Sequence, residues 1–261
     1  MAIIVFACKS NSCRSQMAEA WASEWIRDQI SLFEEILVEW TCEKPDENSG
    51  HEKITRPVHE HISLLRQTIV ASVALDSSAV FDKKSKRIDD EEPRKVSKGQ
   101  PISSFKRKMV KIKAVEAMKM DSVDISLFKP KTVDEIIPYL YKGYTDDIYP
   151  HIQKNLLGEI LKENTDFSLY GDKNIGDTKE DESGGENKPV DKLIVLCSCG
   201  DSMKYKLARR SKSVEEWSID APTAASKAGE GDKAYRRVSL EIRKEVNILM
   251  GSLLKSPCQG V

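Results

Sequence analysis

The sequence lacks the features that place a chain in a membrane or outside the cell. Its 261 residues hold no apolar run close to the roughly 20 residues that a membrane-spanning helix needs. The N-terminus has neither a basic segment nor a small-residue cleavage site, so it is unlike a secretion signal. Six cysteines in a chain of this length do not suggest the dense framework of a secreted disulfide protein. These absences predict a cytoplasmic protein that does not act at a membrane.

Charge and histidine content argue against two further classes of protein. The formal net charge is −1, so the chain as a whole has no attraction to nucleic acid. The four histidines lie away from the close cysteine pair Cys197 and Cys199, which has no second pair at zinc-finger spacing. We therefore expect no nucleic-acid partner and no metal site. A hydrophobic fraction of 39% and a charged fraction of 32% indicate a folded core with long solvated segments.

The beginning of the chain contains its most informative pattern. Ile3 to Phe6 form a short apolar, β-branched run that predicts a buried parallel strand. A polar loop follows Cys8, and from about Ser15 apolar residues recur at helix spacing, as Met17, Ala18, Trp21 and Trp25. A strand, a short loop and a helix N-terminus together make a cup of backbone N–H groups that binds an oxyanion.

The two ends of this loop carry reactive side chains. Cys8 would place a thiol at the floor of the cup, where the loop amides and Arg14 should lower its pKa so that it is a thiolate near neutral pH. Arg14 can hold two oxygens of a tetrahedral anion at once. Ser15 is placed to hydrogen-bond the Cys8 sulfur and to help it leave again. We expect the anion to be bound by Arg14 and the intervening loop residues, namely Lys9, Ser10, Asn11, Ser12 and Cys13.

The stretch from Cys8 to Glu19, CKSNSCRSQMAE, resembles the signature of low-molecular-weight protein tyrosine phosphatases and, more closely, of the related arsenate reductases. The resemblance implies a three-layer, Rossmann-like α/β fold in which helices flank a four-stranded parallel sheet. It also implies a single catalytic domain over residues 1–261 that binds no metal or cofactor. The matching core blocks are about 1–42, 113–141 and 190–256, and the insertions between them are about 43–112 and 142–189.

Periodicity suggests what the remaining segments form. Ile36–Thr41 is interpreted as the second strand, and Val58–Leu75 carries apolar residues at helix spacing. From Asp82 to Lys113 the chain has twelve Lys and Arg residues, which predicts either a mobile solvated insertion or a docking site for an acidic partner. Gly171–Lys188 is rich in small and polar residues and is expected to be disordered.

The resemblance resumes in the second half of the chain. One block resembles a helix and turn of the family, with Ser122 in place of a glycine. The later predicted elements are a helix at Lys131–Tyr141, a third strand at Asp191–Cys197, a fourth strand from Val214 to Trp217 followed by a loop to Pro222, and an amphipathic helix from Ala234 to Leu254.

Hydrolysis of a phosphate ester also needs a general acid for the leaving oxygen. The resemblance implies an aspartate directly before Pro222, but Ala221 occupies that position. Asp220, one residue earlier, is the nearby candidate for the acid, although it could equally cap a turn. The shift weakens phosphatase activity more than arsenate chemistry, because arsenate is the less demanding partner for thiolate attack.

Reduction of arsenate needs a second thiol, which attacks the sulfur of a Cys8–arsenate adduct and releases arsenite. By resemblance, Cys197 occupies the position of that thiol in thioredoxin-coupled reductases. Their third cysteine corresponds to Lys204 here, and Cys199 is the nearest substitute. Thioredoxin, glutaredoxin or glutathione would supply the electrons, whereas a merely buried Cys197 would have no redox role. Cys13 could instead pair with Cys8 in a reversible oxidised state.

The sequence therefore supports three functions. The leading one is an arsenate reductase that uses thiol electrons. The alternative is a phosphatase that hydrolyses phosphotyrosine through a phosphocysteine intermediate. The third is a binding module for phosphate or phosphoproteins that has lost its general acid.

Overall fold

The computed structural model describes residues 2–42, 51–80, 108–141, 189–197 and 201–254. Four strands form one sheet in it: β1 (Ile3–Cys8), β2 (Ile69–Ala74), β3 (Val190–Val195) and β4 (Ser211–Glu216). All neighbouring strands are parallel, and their spatial order is β2-β1-β3-β4. The predicted four-stranded parallel sheet is confirmed.

Helices cover both faces of this sheet. They are α1 (Arg14–Cys42), α2 (His51–Arg66), α3 (Ile112–Lys119), α4 (Val133–Tyr141), α5 (Asp201–Ala208), α6 (Pro222–Ala225) and α7 (Lys233–Leu254). Because side chains alternate along a strand, Ile4 and Phe6 of β1 join a core with α1, α3 and α7. Ile3 and Val5 point the other way and join a second core with α4 and α5. The predicted three-layer α/β fold follows from this alternation.

The second strand lies elsewhere than the sequence predicts. The strand expected at Ile36–Thr41 is wrong, because these residues continue α1 as far as Cys42. The helix expected at Val58–Leu75 is wrong in its second half, since α2 ends at Arg66 and β2 follows. Short β-branched runs fit a helix or a strand by periodicity alone. Strand pairing decides the matter, because β2 aligns residue by residue with the whole of β1.

The position of β2 shows that the first expected insertion contains part of the sheet. Residues 69–74 lie within the segment 43–112 and form an edge strand of the sheet, so that segment is not wholly an addition to the core. Most of its basic part, residues 81–107, lies outside the described residues, as does nearly all of the second expected insertion, including Gly171–Lys188. The division into one domain with two insertions stays a prediction.

The elements of the second half agree with the sequence more closely. Helices α3, α4 and α7 and strands β3 and β4 begin within three residues of their expected positions. Helix α5, between β3 and β4, is a further element that the sequence analysis did not predict. Ser122 adopts a φ of 64°, in the left-handed region that favours the glycine it replaces. No helix in the described part of the chain is long and apolar enough to cross a membrane.

Candidate active site

The end of β1 and the start of α1 are joined by a tight loop that lies at the carboxyl edge of the sheet. We call residues 8–15 the cradle. Cys8 is 4% exposed at the floor of the cradle, and its Sγ lies 2.9 Å from the Oγ of the fully buried Ser15. Both groups sit where a parallel sheet of this type presents its ligand site. The structure therefore brings together the two residues expected to form and release a thiolate adduct.

Asn11 holds Ser15 in contact with Cys8. Its Nδ2 donates to Ser15 Oγ at 2.9 Å, and its Oδ1 accepts from Gln16 Nε2 at 2.8 Å and from the backbone N–H of Lys131 at 2.7 Å. Ser15 Oγ thus accepts from Asn11 and still has its own proton, which it can donate to the sulfur. Asn11 has a φ of 48°, a conformation that asparagine tolerates better than most residues.

The backbone of the cradle presents donors to an anion. Within the described residues, the N–H groups of residues 10–15 donate to no protein acceptor. The carbonyl groups are held from outside, since Lys9 O accepts from Asp76 N and Ser12 O from Lys111 N, each at 2.9 Å. Ser10 and Ser12 pair through their hydroxyl groups at 2.8 Å. Together with the start of α1, these amides give the cradle a partial positive charge.

Arg14 links the cradle to the loop after β4. It is half-buried, and its Nη1 donates to the carbonyl oxygen of Ile219 at 2.6 Å. The ring of Trp217, at the start of the same loop, packs against Phe6 of β1 with centroids 5.8 Å apart. The segment expected to supply a general acid is thus fastened beside the cradle by its backbone and by an aromatic contact.

The carboxylate of Asp220 points away from this link. Its side chain is 78% exposed, and the nearest cation to it is Arg237 of α7, at 3.9 Å. Ala221 occupies the cap position at the start of α6, followed by Pro222. The structure brings the backbone of this loop to Arg14 but leaves the candidate acid in solvent.

Cys197 lies two residues beyond the end of β3, the strand that pairs with β1. Ala7 pairs with Val195, and the N–H of Leu196 donates to Ala7 O at 2.8 Å, so the half-buried Cys197 follows directly at the same sheet edge. Cys197 is in a disulfide whose partner is neither Cys8 nor Cys13, because both of these are free. Cys199 lies outside the described residues.

Cys13 lies in the cradle but is poorly suited to redox exchange. Burial, together with the nearby Cys8, raises the pKa of its thiol to about 12, although Lys111 and Arg14 act in the opposite direction. A thiol must ionise before it attacks a sulfur. Cys13 therefore stays protonated at neutral pH, and its pairing with Cys8 stays a prediction.

A buried ion pair supports the cradle from below, and the sequence analysis did not foresee it. Glu19 of α1 is 1% exposed and contacts Lys131 Nζ at 2.9 Å and the hydroxyl of Ser72 on β2. Burial raises the pKa of Glu19, against the effects of Lys131 and Ser72. Lys131 thus contacts Asn11 through its backbone N–H and Glu19 of α1 through its ammonium group, and Glu19 in turn contacts Ser72 of β2. Glu19 belongs to the motif at the start of α1, but its partners lie too far along the chain to be inferred from spacing.

The described residues contain no group of three or more His, Cys, Asp and Glu side chains arranged to hold a metal ion.

Comparisons with known proteins return the same two groups that the cradle sequence resembles. No protein family model matches the chain. A stretch of 31 residues is 52% identical to an arsenate reductase of Bacillus subtilis (strain 168), covering 12% of this chain and 22% of that protein. The match thus spans about a fifth of the relative's length.

Two solved structures are similar over most of the chain at low identity. One is an arsenate reductase in the phosphate-binding state, 15% identical, with a TM-score of 0.44 and coverage of 97% of this chain and 98% of that one. The other is a low-molecular-weight protein tyrosine phosphatase from T. tengcongensis, 12% identical, with a TM-score of 0.39 and coverage of 97% and 99%.

Proposed function

We propose that the chain is a cysteine-nucleophile enzyme acting on a tetrahedral oxyanion, and that it reduces arsenate to arsenite. The observation that carries this proposal is the 2.9 Å contact between Cys8 Sγ and Ser15 Oγ at the floor of the cradle. Ser15 Oγ accepts from Asn11 and keeps its own proton to donate to a sulfur that carries negative charge. A thiolate below a ring of amide donors is placed to attack a bound tetrahedral anion.

In the first step, the Cys8 thiolate attacks arsenic. An arsenic–sulfur bond forms, one arsenic–oxygen bond breaks, and the departing oxygen takes up protons from solvent and leaves as water. Arsenic stays pentavalent. The amides of the cradle hold the remaining oxygens, and Arg14 exchanges the Ile219 carbonyl for the anion because a charge-assisted pair is the stronger one.

In the second step, a second thiolate attacks Cys8 Sγ. A disulfide forms, the arsenic–sulfur bond breaks, and its electron pair stays on arsenic, which leaves as trivalent arsenite. Cys197 is the leading candidate for this thiol because it lies at the end of the strand beside β1, and Cys199 is the alternative. An external thiol, thioredoxin or glutathione, then reduces the disulfide with two electrons. The same donor would first reduce the disulfide that holds Cys197.

Three observations favour arsenate over a phosphate ester. The 31-residue match is to an arsenate reductase, and Cys197 is a disulfide-bonded cysteine just beyond the end of β3, at the same sheet edge as Cys8. Ester hydrolysis needs a proton donor at the leaving oxygen, whereas the carboxylate of Asp220 is exposed and faces Arg237. Hydrolysis of phosphotyrosine through a phosphocysteine is the second candidate, supported by the cradle itself and by the anchoring of the Asp220 loop to Arg14.

The test compares two substrates on one pre-reduced sample. Arsenate is supplied with thioredoxin or with glutathione, p-nitrophenyl phosphate is supplied separately, and Cys8→Ser is the blank for both. We expect arsenite from the wild type and its loss in Cys197→Ser or Cys199→Ser. Ester hydrolysis without arsenite, reduced in Asp220→Asn, would replace this proposal with the phosphatase. Phosphate binding without either activity would make the chain a binding module.

A further inference from the structure

Lys111 connects the cradle to the segment that follows β4. It lies directly before α3, and its backbone N–H donates to Ser12 O at 2.9 Å. Its side chain reaches across to α6, where Nζ donates to Thr223 Oγ1 at 2.5 Å. Thr223 Oγ1 also lies 3.1 Å from the hydroxyl of Tyr235 on α7. The ammonium group is therefore held at the rim of the cradle by Thr223, which follows Ala221 by two residues.

Lys111 and Arg14 share an unusual charge environment. Both are half-buried, and within the described residues neither has a carboxylate at ion-pair distance. Neighbouring lysines do have one, since Lys113 lies 2.6 Å from Asp232 and Lys131 lies 2.9 Å from Glu19. A cation withdrawn from water without a counter-ion costs free energy. Two such cations beside a ring of amide donors are balanced when an anion binds between them.

Both cations act on the interior of the cradle. Burial raises the pKa of the Cys13 thiol, and the positive charges of Lys111 and Arg14 both oppose that rise. Their fields therefore reach the same buried point, next to Cys8. An anion above Cys8 would experience both charges as well, because the interaction falls off slowly in a water-poor site.

We propose that Lys111 is a second anion-binding residue of the cradle, whose ammonium group turns from the Thr223 hydroxyl to an oxygen of the bound tetrahedral anion. The hydroxyl holds the ammonium in place but cannot neutralise it, whereas the anion can. This inference rests on the proposed function in one respect, that the ligand of the cradle is a tetrahedral oxyanion. It adds a charged binding residue that the cradle motif does not contain.

Inorganic phosphate is the probe, because it has the charge and shape of arsenate and is not turned over. Calorimetric titration of the reduced full-length chain gives its Kd. A hydrogen bond between charged partners predicts that Lys111→Gln weakens phosphate binding about 10-fold or more. Lys111→Arg, which keeps the charge, should stay within about threefold of the wild type. Every variant keeps the backbone N–H that holds Ser12, so the cradle stays anchored.

Two controls separate a direct role from a structural one. Lys113→Gln removes the same charge two residues further along, from a lysine already paired with Asp232, and should leave the Kd unchanged. Thr223→Val removes the hydroxyl but not the ammonium, and should also leave phosphate affinity within about threefold, because the bond that it removes is not made to the anion. If Thr223→Val loses as much affinity as Lys111→Gln, Lys111 acts by holding the loop and the inference is overturned.

The outcome is distinguishable from failure of the proposed function. Phosphate binding that depends on Lys111, in a protein that neither reduces arsenate nor cleaves esters, would support the inference and remove the proposed activity. Arsenate reduction that is inhibited by phosphate equally in the wild type and in Lys111→Gln would leave the activity and refute the inference. Absence of phosphate binding in the wild type would overturn both.

Discussion

Replacing Asn11 by alanine should damage the cradle even though Cys8 and Arg14 stay in place. Asn11→Ala removes the donor to Ser15 Oγ and the acceptor of the Lys131 N–H, while Gln16 Nε2 keeps the carbonyl groups of Asn11 and Lys129. Each buried group left without a partner costs about 1 to 3 kcal/mol. Alanine at a φ of 48° adds about 1 kcal/mol of backbone strain. We therefore expect the free energy of unfolding to fall by about 3 kcal/mol.

Asn11→Gly separates the two parts of this loss. Glycine removes the same hydrogen bonds but adopts a positive φ without strain, so Asn11→Gly should be about 0.5 to 1 kcal/mol more stable than Asn11→Ala. Urea unfolding of the wild type and both variants, followed by circular dichroism, gives the three free energies. A loss below about 1 kcal/mol in both variants would mean that these bonds are individually weak and would refute the reasoning.

Four further outcomes are expected, two of them at Cys13. Ser122→Gly should raise the free energy of unfolding by about 0.5 to 1 kcal/mol, seen as a higher Tm, because glycine adopts a φ of 64° without strain. Cys13, whose pKa is raised to about 12, should escape iodoacetamide in the native protein near pH 8 and react after unfolding in urea, as peptide mass spectrometry would show. Since its folded pKa exceeds its unfolded one, Cys13 also makes stability fall as the pH rises above 9.0. Glu19→Gln should lower the free energy of unfolding by about 3 kcal/mol, because it leaves the ammonium group of Lys131 in the protein interior without its carboxylate. Adding Lys131→Met to this variant should restore part of the lost stability. A Glu19→Gln variant as stable as the wild type in urea would show that the pair is solvated.

The strand and loop at the beginning of the chain could be predicted because their determinants are local. The apolar run of β1, the polar loop and the spacing of α1 all lie within the first part of the sequence, and they specify one arrangement at every level. The second strand could not be predicted in the same way. Residues 69–74 become a strand because β1 is available to pair with them, and that pairing is invisible to periodicity.

In the candidate site, too, some features depend on local sequence and others on contacts between distant residues. Cys8, Arg14 and Ser15 follow from the spacing of one motif. Anion binding by Asn11 stays a prediction that concerns its backbone N–H, whereas its side chain holds Ser15 and the Lys131 N–H, which lies 120 residues away in sequence. Spacing along the chain carries no information about such a distant partner. The shape of the cradle therefore depends on contacts that only the folded chain assembles.

The link between Arg14 and Ile219 decides how the two candidate chemistries differ. While Arg14 donates to Ile219 O, the loop is fastened with the carboxylate of Asp220 turned outwards toward Arg237. An arriving anion competes for Arg14 and thereby releases the loop. Arsenate reduction gains nothing further from that release, because its second step needs a thiol at the end of β3 and not an acid on the loop.

Ester hydrolysis needs Asp220 to leave its exposed pair with Arg237, at 3.9 Å, and to move over the leaving oxygen. An exposed pair is worth so little that it does not prevent this movement. Under the proposed function the two reactions share the cradle and differ in what else they need, which is a thiol at the end of β3 for arsenate reduction and a carboxylate over the leaving oxygen for ester hydrolysis.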